Sequence, residues 1–290
     1  MKRSNRAPSM PGCPARTVRY RPRRAGGAAA LLLAAMFLCL PAWTGCDRSG
    51  TDSNPVNLRS RAAVYNGAGA WEVSAIAVAA ALEDAGREVD LVGEQAAQQS
   101  LDDYRVFIVP DGDPEEMADA FGETGRSRIA ELVRSGGGYL GIGGGAYLAG
   151  DSMTVRRTLY GGKLLSLYEG SAAGPLDELA PDAMTLISPD DPRFNTLGLS
   201  TLQVLYRDGP RWTIHAPSTA QEIARFIAVD APAGVVLEAG FGRVALLAVQ
   251  PEIEENSDRD GGDWGDALED GESDWFWLQA IVDWLYRERG

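Results

Sequence analysis

From residue 61 onward the chain alternates between two hydrophobic periods. Arg61–Tyr65 is a short strand-type run ending at Asn66-Gly67-Ala68-Gly69, and Trp71–Ala85 then places apolar residues at helical spacing up to Gly86, a helix-ending glycine. Glu88–Val92 is strand-like. Tyr104–Val109 is, Arg105 apart, a β-branched and aromatic run, which predicts a buried strand, ended by Pro110-Asp111-Gly112-Asp113-Pro114. Thr124–Arg134 predicts an amphipathic helix closed by Ser135-Gly136-Gly137. Gly138–Ile142 is the next buried strand, and Gly143-Gly144-Gly145 leads into a short helix, Ala146–Ala149.

This succession predicts an α/β fold of three layers, a doubly wound and mostly parallel sheet with helices on both faces. Ligands of such sheets sit at the carboxyl ends of the strands. The loops there are Asn66–Ala70, Pro110–Pro114 and Gly143–Gly145. The second half is richer in strand signals: Lys163–Tyr168, Ala183–Ile187, Leu202–Tyr206, Ile223–Val229, Gly234–Glu238 and Arg243–Val249. Asp274–Arg287 predicts a closing helix with a wide aromatic face. With no internal repeat and no hinge-like linker, residues 61–290 read as a single domain.

The first sixty residues belong to a different pattern. Residues 1–24 hold eight basic residues and no acid, followed by an apolar stretch from Gly26 to Leu40 and then Pro41-Ala-Trp-Thr-Gly-Cys46. Residues 1–45 therefore read as a secretory signal. Its apolar part is shorter than the roughly 20 residues a spanning helix needs. Gly45-Cys46 resembles the end of a bacterial lipobox, which implies cleavage before Cys46, lipidation of that cysteine and an exported, membrane-anchored chain in the cell envelope. Residues 46–60 are polar, with Gly, Pro, Ser and Asn, and read as a tether.

Charge then narrows the partners. The 290-residue chain carries a net charge of −14, and losing the eight basic signal residues takes it to −22. Nucleic acid, whose phosphates demand basic patches, is excluded as a partner. Of the three cysteines, Cys13 and Cys39 leave with the signal, so no disulfide is expected. One histidine, His215, rules out His-rich metal sites.

Gly141-Ile-Gly143-Gly-Gly145, between a buried strand and a helix, has the setting of a nucleophile elbow, Gly-x-(Ser or Cys)-x-Gly. Its central residue is Gly143, which has no side chain to project. Together with Ala62–Tyr65, Asn66-Gly67-Ala68-Gly69, Pro110-Asp-Gly-Asp113 and Ile129–Ala149, this segment resembles the biotin-protein ligase N-terminal domain family of the class I glutamine amidotransferase-like superfamily. Glu169-Gly-Ser-Ala-Ala-Gly174-Pro175 resembles another segment of that family, and Val249-Gln250-Pro251-Glu252 its late His-Pro-Glu. The resemblance spans Arg61 to Glu252 in order and implies a flavodoxin-like sheet.

It also implies a triad of an elbow Cys followed by His and Glu. Here those positions are Gly143, Gln250 and Glu252, so the nucleophile and the base are absent. A thiolate mechanism needs both sulfur and a proton acceptor. Thiol-dependent amidotransfer is excluded on chemistry, and no catalytic residue is expected. Backbone N–H groups near Gly112 and Gly144 remain as a small anion-friendly pocket, with Asp111 placing a carboxylate beside it.

Weaker signals accompany these. Gly141-x-Gly143-x-x-Ala146 also fits a dinucleotide fingerprint, but it does not follow the first strand, where that motif belongs. His215, with no paired nucleophile apparent, reads as a hydrogen-bonded structural residue, and Tyr139 and Tyr147 read as core packing. Residues 254–274 form an acidic insertion with ten carboxylates and one Arg. Asp258-Arg-Asp260-Gly-Gly-Asp263 loosely suggests calcium ligation, but its spacing is broken, so a solvated insertion is expected and no metal. Trp264 within it suggests partial docking as a lid near Gln250 and Glu252.

The resulting expectation is a non-catalytic domain binding a small molecule or an envelope protein through Asn66, Asp111, Gly112, Gly143, Gly144 and Glu252, with no cofactor. An alternative is a hydrolase of altered chemistry using Asp111, Asp113 or Glu252 as a general base on water. A third is an envelope scaffold that works through its acidic surface.

Overall fold

The computed structural model describes residues 60–162, 164–216, 218–254, 257–265, 268 and 273–287. The signal, Cys46 and nearly all of the tether lie outside the described residues, as does part of the acidic insertion.

Thirteen strands are described: β1 (Arg61–Tyr65), β2 (Val89–Val92), β3 (Tyr104–Val109), β4 (Gly138–Ile142), β5 (Ser152–Val155), β6 (Thr158–Gly161), β7 (Gly170–Gly174), β8 (Ala183–Ser188), β9 (Leu202–Tyr206), β10 (Arg211–Ile214), β11 (Gln221–Phe226), β12 (Pro232–Ala239) and β13 (Gly242–Leu247). The helices are α1 (Glu72–Asp84), α2 (Glu94–Gln99), α3 (Pro114–Arg134), α4 (Gly144–Tyr147) and α5 (Trp275–Tyr286). Nine strands make the main sheet in the order β2-β1-β3-β4-β13-β12-β11-β8-β9. The five from β2 to β13 pair in parallel, while β12 and β8 run against the other seven.

Alternation along the parallel strands builds two cores. Ala62, Val64, Val106, Ile108, Leu140 and Ile142 face α1 and α5 on one side. Ala63, Tyr65, Phe107, Val109 and Tyr139 face α3 on the other. Since β3 and β4 are covered on both faces, they are apolar at nearly every position. This is the three-layer α/β fold that the hydrophobic pattern predicts.

Three features differ from the sequence-based expectation. Helix α3 starts at Pro114, not Thr124, because the Asp113 side chain accepts from the N–H groups of Glu115 and Glu116 at 2.9 and 3.1 Å and Pro114 occupies the first turn. The helix breaks at Gly122, and that break hides the continuity of its two halves. Residues 164–168 are not a strand. Their N–H groups follow an irregular path over the end of α4, with Leu165, Ser166 and Leu167 donating to Leu148, Gly150 and Ala149. Finally, β10-β7-β5-β6 form a second, four-stranded sheet beyond the carboxyl end of β4.

Candidate functional site

Backbone hydrogen bonds knit the loops after β1, β3 and β4 together. Trp71 N donates to Asp111 O and Asp113 N to Gly69 O, both at 2.7 Å, and Gly145 N donates to Pro110 O at 3.2 Å. The three loops expected at this edge do meet, at the point where strand order reverses between β1 and β3. They floor a cleft of ≈ 390 Å³.

The elbow is present. Gly143 N donates to Leu247 O at 2.9 Å, and the backbone at Gly143 has φ 50° and ψ −113°, a conformation that residues with a Cβ rarely adopt. Gly144 is needed for close approach: a Cβ there would stand 2.1 Å from Gly112 O.

The slot above Gly143 is filled by Asp111. Its Oδ1 accepts from Gly144 N at 2.6 Å and Gly112 N at 2.8 Å, and Arg207 Nε stands 3.5 Å from its Oδ2. A Cβ placed on Gly143 would lie 2.2 Å from Asp111 Oδ1 and 2.6 Å from Gln250 Nε2. Rather than sitting beside the backbone anion pocket, the carboxylate is the anion in it. Burial pushes the Asp111 carboxyl up to about 7, against the pull of the two N–H donors and Arg207.

Gln250 and Glu252 are fully buried. Gln250 Nε2 donates to Arg207 O at 3.1 Å. Glu252 Oε1 accepts from Ser74 Oγ at 2.5 Å, and that same Ser74 oxygen accepts from Asp111 N at 3.1 Å. Ser74, in the first turn of α1, thus couples Glu252 to the Asp111 backbone. Nothing in the hydrophobic pattern distinguishes it from a helix-surface serine.

Of the expected binding residues, Asp111, Gly112 and Gly144 line the cleft. Asn66 does not: its N–H is bonded to Val92 O at the end of β1, and the loop reaches the cleft only from Gly69. Glu252 lies beneath the floor, and Gly143 is covered by Asp111. Asp113 lines the cleft as well, with its Oδ1 occupied in capping α3. His215 follows edge strand β10, more than half exposed, with Nδ1 3.9 Å from Glu169 Oε1. It is not among the residues lining the cleft, and its backbone N–H donates to Glu169 O at 2.9 Å. Tyr139 packs in the core and donates to Gly145 O at 2.7 Å. Tyr147, expected as core alone, also lines the cleft while donating to Asp208 O at 2.8 Å.

Trp71 and Arg207, not singled out from sequence, complete the rim. The Arg207 guanidinium lies 4.0 Å from the Trp71 ring centroid and 5.6 Å from that of Trp264, and the two indoles meet edge-to-face at 4.6 Å. The acidic insertion therefore docks through Trp264. Its Asp260 is buried, accepting from Glu254 N and Gly262 N at 3.2 and 3.1 Å. Among the described residues no group of three or more His, Cys, Asp or Glu side chains is placed to hold a metal ion, and no helix is long and apolar enough to cross a membrane.

Chemically, the elbow offers no side chain, Gln250 offers an amide, and the Gly112 and Gly144 N–H donors are engaged by Asp111. A pyrophosphate brought to this turn would meet a carboxylate, which disposes of the dinucleotide fingerprint.

No family model matches the sequence, and no curated protein matches it. Among solved structures the chain is similar to a ThuA-like protein from Bacteroides uniformis, at 15% identity and a TM-score of 0.50 over 78% of this chain and 90% of that one. It is also similar to a glutamine amidotransferase, at 18% identity and a TM-score of 0.48 over 66% and 90% of the two chains. At such identities the likeness is one of fold alone, shared with the ThuA-like protein over most of both chains.

Proposed function

We propose that this chain is a non-catalytic amidotransferase-like domain, of the biotin-protein ligase N-terminal kind, which binds a small molecule or an envelope protein at the cleft. On this reading it is exported and held to the membrane through a lipid on Cys46. One observation carries the non-catalytic part: the Asp111 carboxylate accepts the Gly112 and Gly144 N–H bonds in the slot above Gly143. An oxyanion hole accelerates acyl transfer by donating to charge that develops in the transition state. Donors already held by a fixed carboxylate cannot do so, while the cleft beside them stays open for binding.

The test pairs a metabolite thermal-shift screen with turnover assays on amides and esters. A ligand at 100 times its Kd stabilises the fold by about 2.7 kcal/mol. Turnover that disappears in Glu252→Gln overturns the reading. One observation favours the hydrolase alternative: Asp111, pushed up to about 7, titrates where a general base on water would. That alternative requires turnover abolished by Asp111→Asn.

A further inference from the structure

We infer that the phosphate group of a small-molecule ligand binds in the basin beside the cleft, on Arg156, Arg157 and Arg211, with the rest of the ligand lying in the cleft. This deepens the binding reading above and rests on it.

The basin, of ≈ 560 Å³, adjoins the cleft, and Arg156 and Pro175 line both. Three arginines line it, in a chain whose net charge is −14. Two of them form the two-residue turn between β5 and β6, with φ 45° at Arg156 and 73° at Arg157. A turn with both central residues left-handed is the habitat of Asn-Gly. Arginine has no backbone reason to be there. Five non-glycine residues are left-handed among the described residues, and Arg156, Arg157, Asp182 and Asp208 are four of them. Asp208 pairs with Arg156 at 2.7 Å, and Asp182 with the cleft residue Arg207 at 3.0 Å. Strain of this kind persists where the surroundings enforce it, and it clusters at ligand sites.

The arginines are available for exchange. Arg157 is exposed and has no ion-pair partner among the described residues. Arg156 is 75% exposed in its pair with Asp208, and Arg211 is 45% exposed, 3.3 Å from Glu178. Exposed pairs of this kind are weak, so a dianion replaces them at little cost. Asp177 and Glu178 also line the basin and oppose an anion there, so the three guanidinium groups have two carboxylates to outweigh. The guanidinium fork matches phosphate oxygens in pairs. The backbone pocket that would otherwise take an anion is filled by Asp111. Anion recognition has accordingly moved from main chain to side chains.

The probe is inorganic phosphate, titrated into the purified protein at low salt and followed by ³¹P chemical shift, with phosphatidylglycerol vesicles as a separate arm. The expected result is saturable binding of free phosphate, weakened at least fivefold by Arg157→Gln. The double change Arg156→Asn with Arg157→Gly should abolish binding while raising Tm by about 2–4 °C, as relief of about 1 kcal/mol does in a domain of this size. That rise shows the variant folded, so its loss of binding can be read. Absence of saturable binding, equal affinity in the variants, or binding to the vesicles alone overturns the inference. So does an affinity raised by Asp111→Asn and indifferent to Arg157. Turnover on an amide or ester overturns the non-catalytic reading without touching this site, whereas a cleft ligand indifferent to all three arginines overturns this site alone.

Discussion

Gly143→Ala is the most direct challenge to the filled slot. The added methyl would sit 2.2 Å from Asp111 Oδ1, 2.5 Å from its Cγ and 2.6 Å from Gln250 Nε2, among groups that are buried. Overpacking of this kind costs about 1–3 kcal/mol. The φ of 50° and ψ of −113° add a backbone cost of order 1–3 kcal/mol that no side-chain movement removes. The sum, about 2–6 kcal/mol, is a large part of the 5–15 kcal/mol typical of a whole domain. A double-mutant cycle with Asp111→Ala separates the two parts, since truncating Asp111 removes the oxygen and the Cγ and leaves the backbone as it is. Asp111→Ala alone is destabilising because it strips the Gly112 and Gly144 N–H groups of their acceptor. Urea unfolding of the four proteins should show the pair destabilised by about 1–3 kcal/mol less than the sum of the single changes. A coupling within about 0.5 kcal/mol of zero is what independent sites give, and it would refute the placement of the carboxylate.

The pH dependence of stability follows from Asp111 as well. A carboxyl at about 7 in the folded chain and 3.8 when unfolded gives stability that is complete below pH 4 and is lost as pH rises through 7. The loss is at most about 4 kcal/mol at 1.36 kcal/mol per pH unit. Asp111→Asn should therefore gain on the native protein between pH 5 and pH 8 in urea unfolding, and a gap that is constant across that range contradicts the burial. Trp264→Ala should cost about 1–2 kcal/mol through the lost edge-to-face contact with Trp71 and the lost ring face for Arg207, and should make Trp71 more accessible to acrylamide quenching. An unchanged Tm and unchanged quenching would show the insertion undocked. Cys46→Ser should release the chain from the membrane fraction on cell fractionation, and a chain that stays bound refutes the lipid tether.

Much of the parallel half of the sheet was legible because burial on both faces leaves a local mark. Tyr104–Val109 is apolar but for Arg105 and Gly138–Ile142 is apolar throughout, and the structure gives both strands those bounds. The second sheet was not legible. Its strands are four or five residues long, and β7 is Gly-Ser-Ala-Ala-Gly, whose pairing with β5 and β10 is set by distant residues. At the site, the absence of an elbow side chain could be read from one letter, Gly143. The role of Asp111 could not, because adjacency in the sequence places it next to Gly112 but says nothing of Gly144, thirty-three residues away. Ser74 and Arg207 were hidden for the same reason. Each acts through a partner on another loop.

Gly143 and Asp111 act as a single packing unit. A side chain at 143 and a carboxylate at 111 compete for one volume, so a residue larger than glycine at the elbow excludes the carboxylate from its two N–H donors. The buried N–H groups need an acceptor in either case. In a working oxyanion hole, water and then substrate meet that need. Here the protein meets it with its own oxygen, held permanently, at the cost of a buried charge that Arg207 offsets from 3.5 Å. Arg207 is itself fixed by Trp71, by Trp264 and by Asp182. The aromatic contact from the acidic insertion is therefore part of what makes the filled slot stable. A thiol placed at 143 alone would be set against Asp111 and Gln250. On the non-catalytic reading proposed above, acyl-transfer chemistry would require positions 111, 143 and 250 to change together.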